Sequence, residues 1–125
     1  MPPFRRLDLW LPPLALMAAI FYFSAQPSLE LGLGPLELAG RKLVHFAEYA
    51  LLCLLWWRAF EHGLGSRRAA LLAFAIASAY AATDELHQSF IEGRHGTPVD
   101  WLIDTAGAGL MAIVLRSGLR RGTAA

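Results

Sequence analysis

Between Asp8 and Glu30 the chain carries no charged residue, and so long an uncharged run constrains the fold more than any other feature. Its centre, LWLPPLALMAAIFYF from Leu9 to Phe23, approaches with its flanks the ~20 apolar residues that cross a bilayer as a helix. Arg5 and Arg6 precede it like the positive flank of a signal anchor. Pro12 and Pro13 are read as lying near the helix start, where a missing N–H costs least. A cleaved signal peptide is the competing reading, and Phe23-Ser24-Ala25-Gln26 fits its small-x-small cleavage pattern poorly.

Three further segments share this character. Leu43 to Phe60 is apolar apart from His45, Glu48 and Arg58, and ends near a Trp56-Trp57 pair suited to a membrane interface. The stretch from Ala69 to Leu86 repeats alanine at 73, 77 and 81, a small-x-x-x-small spacing that lets helices approach closely in lipid. Val99 to Leu115 holds Gly107, Ala108, Gly109 and Ala112 at its middle and looks built for close packing too. The expectation is an all-α, polytopic membrane protein: a single domain over residues 1–125, with a bundle of about four transmembrane helices near 9–25, 43–60, 67–88 and 99–116. Residues 24–42, with Pro27, Gly32, Gly34, Pro35 and Gly40, are expected to form an irregular cap or an interfacial half-helix.

Composition supports lipid over water as the solvent. Apolar residues are 56% of the chain and charged residues 17%, against roughly 25% charged in an average soluble domain. A soluble four-helix bundle is the alternative, but the charged faces it would need are missing from the outer halves of the segments. A net charge of +1, with no Lys/Arg cluster interleaved with aromatics, sets nucleic acid aside as a partner. The lone Cys53 cannot form an internal disulfide and reads as a small core hydrophobe.

With four spans, both termini and the second loop share one side and carry Arg5, Arg6, Arg58, Arg67, Arg68, Arg116, Arg120 and Arg121. The other side has Arg41, Lys42 and Arg94. The positive-inside rule then puts both termini in the cytoplasm of a multi-pass inner-membrane protein. The remaining polar residues collect on the opposite, outer face: Ser24 and Gln26 end the first helix, Arg41 to Tyr49 begin the second, Asp84 to Arg94 end the third, and Asp100 to Asp104 begin the fourth. A charge at the centre of a membrane helix costs about 2.5–3.5 kcal/mol, and somewhat less near the interface, so such a concentration implies function.

The spacings sort these residues by face. Lys42, His45 and Tyr49 share nearly one stripe, as do Arg41, His45 and Glu48. Asp84, His87 and Gln88 fall together, whereas Glu85 is turned by about 100° and reaches a neighbouring helix. Asp100 and Asp104 are spaced i, i+4, so that one keeps a proton or a cation sits between them. His45, Glu48, Asp84 and His87 are the candidate catalytic groups; Lys42, Tyr49, Glu85, Gln88, Arg94, Asp100 and Asp104 are the candidate ligand contacts. Two chemistries fit. In one, Lys42 and Arg94 hold a phosphate-bearing headgroup while His45 or His87 with a carboxylate moves protons. In the other, a divalent metal is held by Asp84-x-x-His87 with Asp100, Asp104 or Glu48. The bland alternative is a set of interhelical clasps that fix the bundle or dock a partner protein. His62 reads as a solvated turn residue; the role of His95 stays open. Cofactor and oligomeric state are unknown at this level.

With these residues placed, the sequence resembles the VanZ-like membrane proteins. The likeness rests on Phe23-Ser24-Ala25-Gln26, on Lys42-x-x-His45-Phe46-x-Glu48-Tyr49, on Asp84-Glu85-x-His87-Gln88-x-Phe90 followed by Gly93-Arg94, and on Asp100 leading to Gly107. It covers nearly the whole chain and implies a multi-helix membrane architecture. Asp104 stands where members of that family often have Asn. The namesake is associated with low-level resistance to the glycopeptide teicoplanin, so by analogy the resemblance implies action on a membrane lipid or lipid-linked headgroup at the outer face.

Overall fold

The computed structural model describes residues 3–24, 35–90 and 98–124. They form helices α1 (Pro3–Ser24), α2 (Pro35–Leu64), α3 (Ser66–Gln88) and α4 (Pro98–Ala124). The protein is an all-helical bundle. At 1.5 Å per residue the 23 residues of α3 extend about 34 Å, more than the ~30 Å hydrocarbon layer. Pro35–Leu64 and Ser66–His87 are long and apolar enough to cross a membrane, and Leu7–Phe23 is a shorter apolar helix.

Three boundaries differ from the sequence expectation, the simplest being α4, which runs on past 116 to Ala124. Helix α1 starts at Pro3, so Pro12 and Pro13 lie inside it rather than near its start. Arg5 and Arg6, which the charge pattern marks as a flank, lie within the helix, because a helix need not stop where the apolar run does. The prolines leave the carbonyls of Asp8 and Leu9 without helical donors, a defect that membrane helices tolerate where neighbours re-satisfy the backbone. Likewise, residues 35–42 are a continuous extension of α2 rather than an irregular cap or separate half-helix. Pro35 suits a first helical position, where its missing N–H would be unpaired anyway. Glu37 in the first turn faces the positive end of the helix dipole and pairs with Arg41 at 2.9 Å.

Gly65 alone separates α2 from α3. Its φ of 82° lies in the left-handed region, which costs glycine little and other residues more. The Gly65 N–H donates to the Glu61 carbonyl at 2.9 Å, and the Trp57 indole N–H crosses the corner to the Ser66 carbonyl at 3.1 Å. Both tryptophans are buried here: Trp56 stacks on Phe60 and meets Trp10 of α1 edge-on. The pair thus packs inside the bundle instead of facing the membrane interface.

Contacts fix the order up-down-up-down. Tyr49 meets Asp84 while Trp57 meets Ser66, Thr105 meets Ser78 while Gly109 lies against Phe74, and Met17 meets Tyr80 while Phe21 meets His87, so α2 and α4 run antiparallel to α3 and α1 runs parallel to it. Helices α2, α3 and α4 pack mutually, while α1 lies along α2 and α3. On α1 the Met17 carbonyl accepts from the Tyr80 hydroxyl of α3.

Where α3 and α4 face the interior the residues are small, with Ala69, Ala70, Ala73, Ala77, Ala81 and Ala108 fully buried, while α2 contributes the larger Tyr49, Leu52, Trp56 and Trp57. Many other large apolar side chains point outward, among them Leu11, Leu14, Leu51, Leu71, Leu110, Ile113 and Val114. Water would penalise that arrangement, whereas lipid removes the penalty and rewards close backbone packing. The arrangement is the one expected of helices packed in lipid, and two of the helices are long and apolar enough to cross a membrane. Helix α4 approaches α2 closely at Gly107, where an added Cβ would collide with the Phe46 carbonyl oxygen and lie 3.0 Å from its carbon. Since backbone cannot step aside, Gly107→Ala should cost about 1–3 kcal/mol and lower the thermal midpoint in detergent. Gly40→Ala, with nothing within 4 Å of the added carbon, should leave the midpoint within error; equal effects in the two variants would contradict this packing.

Candidate functional site

The up-down-up-down order brings the C-terminal ends of α1 and α3 to the N-terminal ends of α2 and α4. On α2, Lys42, His45 and Tyr49 recur at helical spacing and run on into the buried Leu52, Cys53 and Trp56. On α3, Asp84 continues the inward stripe of Ala73, Ala77 and Ala81. On α4, Asp104 precedes Gly107 and Ala108 by a single turn. The same periodicity that packs the core therefore turns these polar groups inward.

Three contacts cross from α2. Lys42 Nζ lies 3.3 Å from Asp100 Oδ1 at the rim, where both side chains are about one third exposed (35% and 31%). Deeper, His45 Nδ1 stands 3.5 Å from Asp104 Oδ1, beyond the 2.7–3.2 Å of a good hydrogen bond. The Tyr49 hydroxyl donates to Asp84 Oδ2 at 3.1 Å. Asp84 and Asp104 are only 5% and 3% exposed. The second oxygen of Asp84, with Asp104 Oδ1 and His45 Nδ1, has no hydrogen-bond partner among the described residues. One donor atom each from His45, Asp84 and Asp104 comes within 4.8 Å of the others.

The other sequence candidates spread around this centre. Glu48 is half-buried and within electrostatic reach of His45, Asp84 and Asp104. Glu85 is within electrostatic reach of the Asp100 and Asp104 charges of α4. His87 is drawn away, its ring stacked on Phe21 of α1 at 4.5 Å. The convergent histidine is accordingly His45 and not His87, so the anticipated Asp84-x-x-His87 pair is replaced by a triad from three helices. Asp100 and Asp104, expected to share a proton or cation, are divided instead between Lys42 and His45. Arg94 and His95, like Gln26, fall outside the described residues, as does the side chain of Gln88.

Sequence reasoning missed a second layer. Trp101 donates its indole N–H to the Ser78 carbonyl at 3.1 Å, and the Ser78 and Thr105 hydroxyls meet at 3.1 Å, tying α3 to α4 beside the triad. The signal was present, since Trp101 and Thr105 flank Asp104 on adjacent turns, but hydroxyls in alanine-rich helices carry little pattern of their own.

A family model described as VanZ/LLP1 matches residues 9–119. The chain belongs to the VanZ/LLP1 family. The matched span includes all of the polar cluster, so the site of this VanZ/LLP1 protein lies within the part that defines the family. No curated protein and no solved structure matches the chain.

The two kinds of contact should separate on mutation. Tyr49→Phe removes the donor to a buried carboxylate and should destabilise the detergent-solubilised protein by about 1–3 kcal/mol. Lys42→Gln breaks a part-exposed pair and should cost no more than about 1 kcal/mol. Thermal melts of both variants check this, and a larger loss in Lys42→Gln would mean that the rim pair, not the buried bond, holds the helices.

Proposed function

We propose that this VanZ/LLP1 protein is a multi-pass envelope protein of the inner membrane, with both termini cytoplasmic, that binds a lipid-linked or phosphorylated ligand at the outer end of its bundle. The observation that carries the reading is the gathering of Lys42, His45, Tyr49, Asp84, Asp100 and Asp104 at one end of an otherwise apolar bundle. A membrane places lipid headgroups at such an end, and Lys42 at the rim offers a headgroup anion a part-exposed cation. Below it, His45 facing Asp104 is the pair suited to move a proton should the ligand be turned over. The orientation follows from Lys and Arg, eight on the side of the termini and three opposite, of 11 in all. The link to teicoplanin resistance belongs to this reading as its phenotypic extension, since a lipid-linked ligand at the outer face is where a cell-wall drug acts.

The second reading is a non-enzymatic factor whose polar contacts clasp the helices or dock a partner protein. It has its own support, because the three contacts from α2 reach two different helices. Lys42→Gln separates the two: with the fold retained, binding of a polyprenyl phosphate in detergent should weaken tenfold or more, equivalent to about 1.4 kcal/mol. Unchanged binding, or no binding by the wild-type chain, favours the clasp. Reporter fusions after Arg121 and within residues 61–67 should read cytoplasmic, and one at Gly34 external; the reverse pattern would move the site to the inner face.

A further inference from the structure

The cluster that would meet an anionic headgroup is itself acidic. Glu48, Asp84, Asp100 and Asp104 outnumber Lys42 and His45, and an anion brought to bare carboxylates is repelled. Two features of the triad bear on how that conflict is resolved. First, Asp84 and Asp104 are more than nine-tenths buried, yet each keeps an oxygen with no hydrogen-bond partner among the described residues, as does the His45 Nδ1 that faces them. Leaving a buried acceptor unpaired costs about 1–3 kcal/mol, more when it is charged. Second, the one short separation in the triad fits a pair of ligands better than a hydrogen bond, and the third donor lies within 4.8 Å of both. Two donors each ~2.1 Å from one ion in tetrahedral geometry stand about 3.4 Å apart, and His45 Nδ1 and Asp104 Oδ1 are 3.5 Å apart.

We propose that His45, Asp84 and Asp104 form a binding site for one divalent transition-metal ion, of the Zn²⁺ or Mn²⁺ class. One imidazole with two carboxylates is a mixed nitrogen and oxygen set, which suits these ions better than Ca²⁺ or Mg²⁺, whose sites are built from oxygen alone. Tyr49 is a positioning residue: by donating to Asp84 Oδ2 it directs Oδ1 toward the centre, the role that hydrogen-bond partners of metal ligands play elsewhere. Three protein donors leave at least one coordination position open. Filling it with a phosphate oxygen would turn the acidic cluster into an anion receptor, with Lys42 at the rim as the second contact. The ion site stands on the triad alone; this bridging role rests on the headgroup reading above.

The test uses the full chain in detergent, stripped with EDTA, dialysed, and titrated with Zn²⁺ and Mn²⁺ separately. Calorimetry and elemental analysis should find about one ion per chain. His45→Gln and Asp104→Asn should each weaken binding tenfold or more, and Tyr49→Phe by a smaller factor. Co²⁺ in place of Zn²⁺ should give a visible spectrum of low-coordinate nitrogen and oxygen ligation that His45→Gln alters. Should Asp104→Asn fail to fold, the His45→Gln titration and the wild-type Co²⁺ spectrum decide the matter. Folded wild-type protein that retains no ion, or binding that is equal in the triad variants and wild type, overturns the site. Polyprenyl phosphate binding, measured with and without EDTA, keeps the two proposals apart. Ion binding with chelator-insensitive lipid binding preserves the metal site and ends the bridge, while lipid binding without any ion preserves the headgroup reading and ends the metal site.

Discussion

Helix α4 approaches α2 so closely because Gly107 has no side chain to hold it off the Phe46 carbonyl. The rest of the polar end depends on that contact. Aspartate reaches only a short way from its helix, so Asp100 and Asp104 meet Lys42 and His45 only where the two backbones are nearly touching. A bulkier residue at 107 would separate the helices a turn below the triad and open every contact above it. On the other side of α2, Ala77 and Ala81 do the same for α3, letting Asp84 come under the Tyr49 hydroxyl. Small residues therefore serve as more than packing: they set the distance at which the functional groups meet.

Many large apolar side chains lie on the outside of the bundle while the inward stripe of α3 is alanine, which departs from the pattern of a soluble core. In lipid this costs nothing in hydrophobic burial, because a leucine against acyl chains is as well placed as a leucine against another helix. What remains to hold the bundle is backbone proximity and polar contact. The aromatic set of Trp10, Trp56 and Phe60 gathers at the end where α2 turns into α3, and the ionisable set at the other. The aromatic end is closed by the Gly65 corner and the Trp57 bond to Ser66.

Much of this architecture was readable in advance, and for identifiable reasons. The alanine repeat at 73, 77 and 81, and the glycines at 107 and 109, announce close helix contacts because no other purpose explains small residues at that spacing in lipid. The common stripe of Lys42, His45 and Tyr49 follows from 3.6 residues per turn. Pairing was harder. Helical spacing tells which residues of one helix share a face but not how far two helices are rotated about their own axes, and that rotation decided between His87 and His45. His87 lies one turn beyond Asp84 on the same helix, yet a small rotation of α3 turns its ring onto Phe21. The helix starts were misjudged for a different reason: charge marks where a helix leaves the apolar layer, not where its hydrogen bonds end, so α1 and α2 both begin earlier than their apolar runs.

The polar end is graded in depth, and the grading bears on what it can hold. At the rim, Lys42 and Asp100 are accessible enough for water to screen them, and their pairing is worth little. Deeper in, oxygens of Asp84 and Asp104 lie within 4.8 Å of each other with almost no exposure. If both are ionised, their repulsion at an effective dielectric of about 20 is at least about 3.5 kcal/mol, on top of the cost of placing either charge in the bundle. An imidazolium at His45 supplies one positive charge and sits against Asp104, leaving Asp84 with only a neutral tyrosine hydroxyl. A proton on one carboxylate relieves the repulsion but still leaves buried acceptors unpaired. A divalent ion cancels both charges and occupies the unpaired atoms of all three residues together, and among these occupants it alone meets every deficit that the geometry of the triad creates.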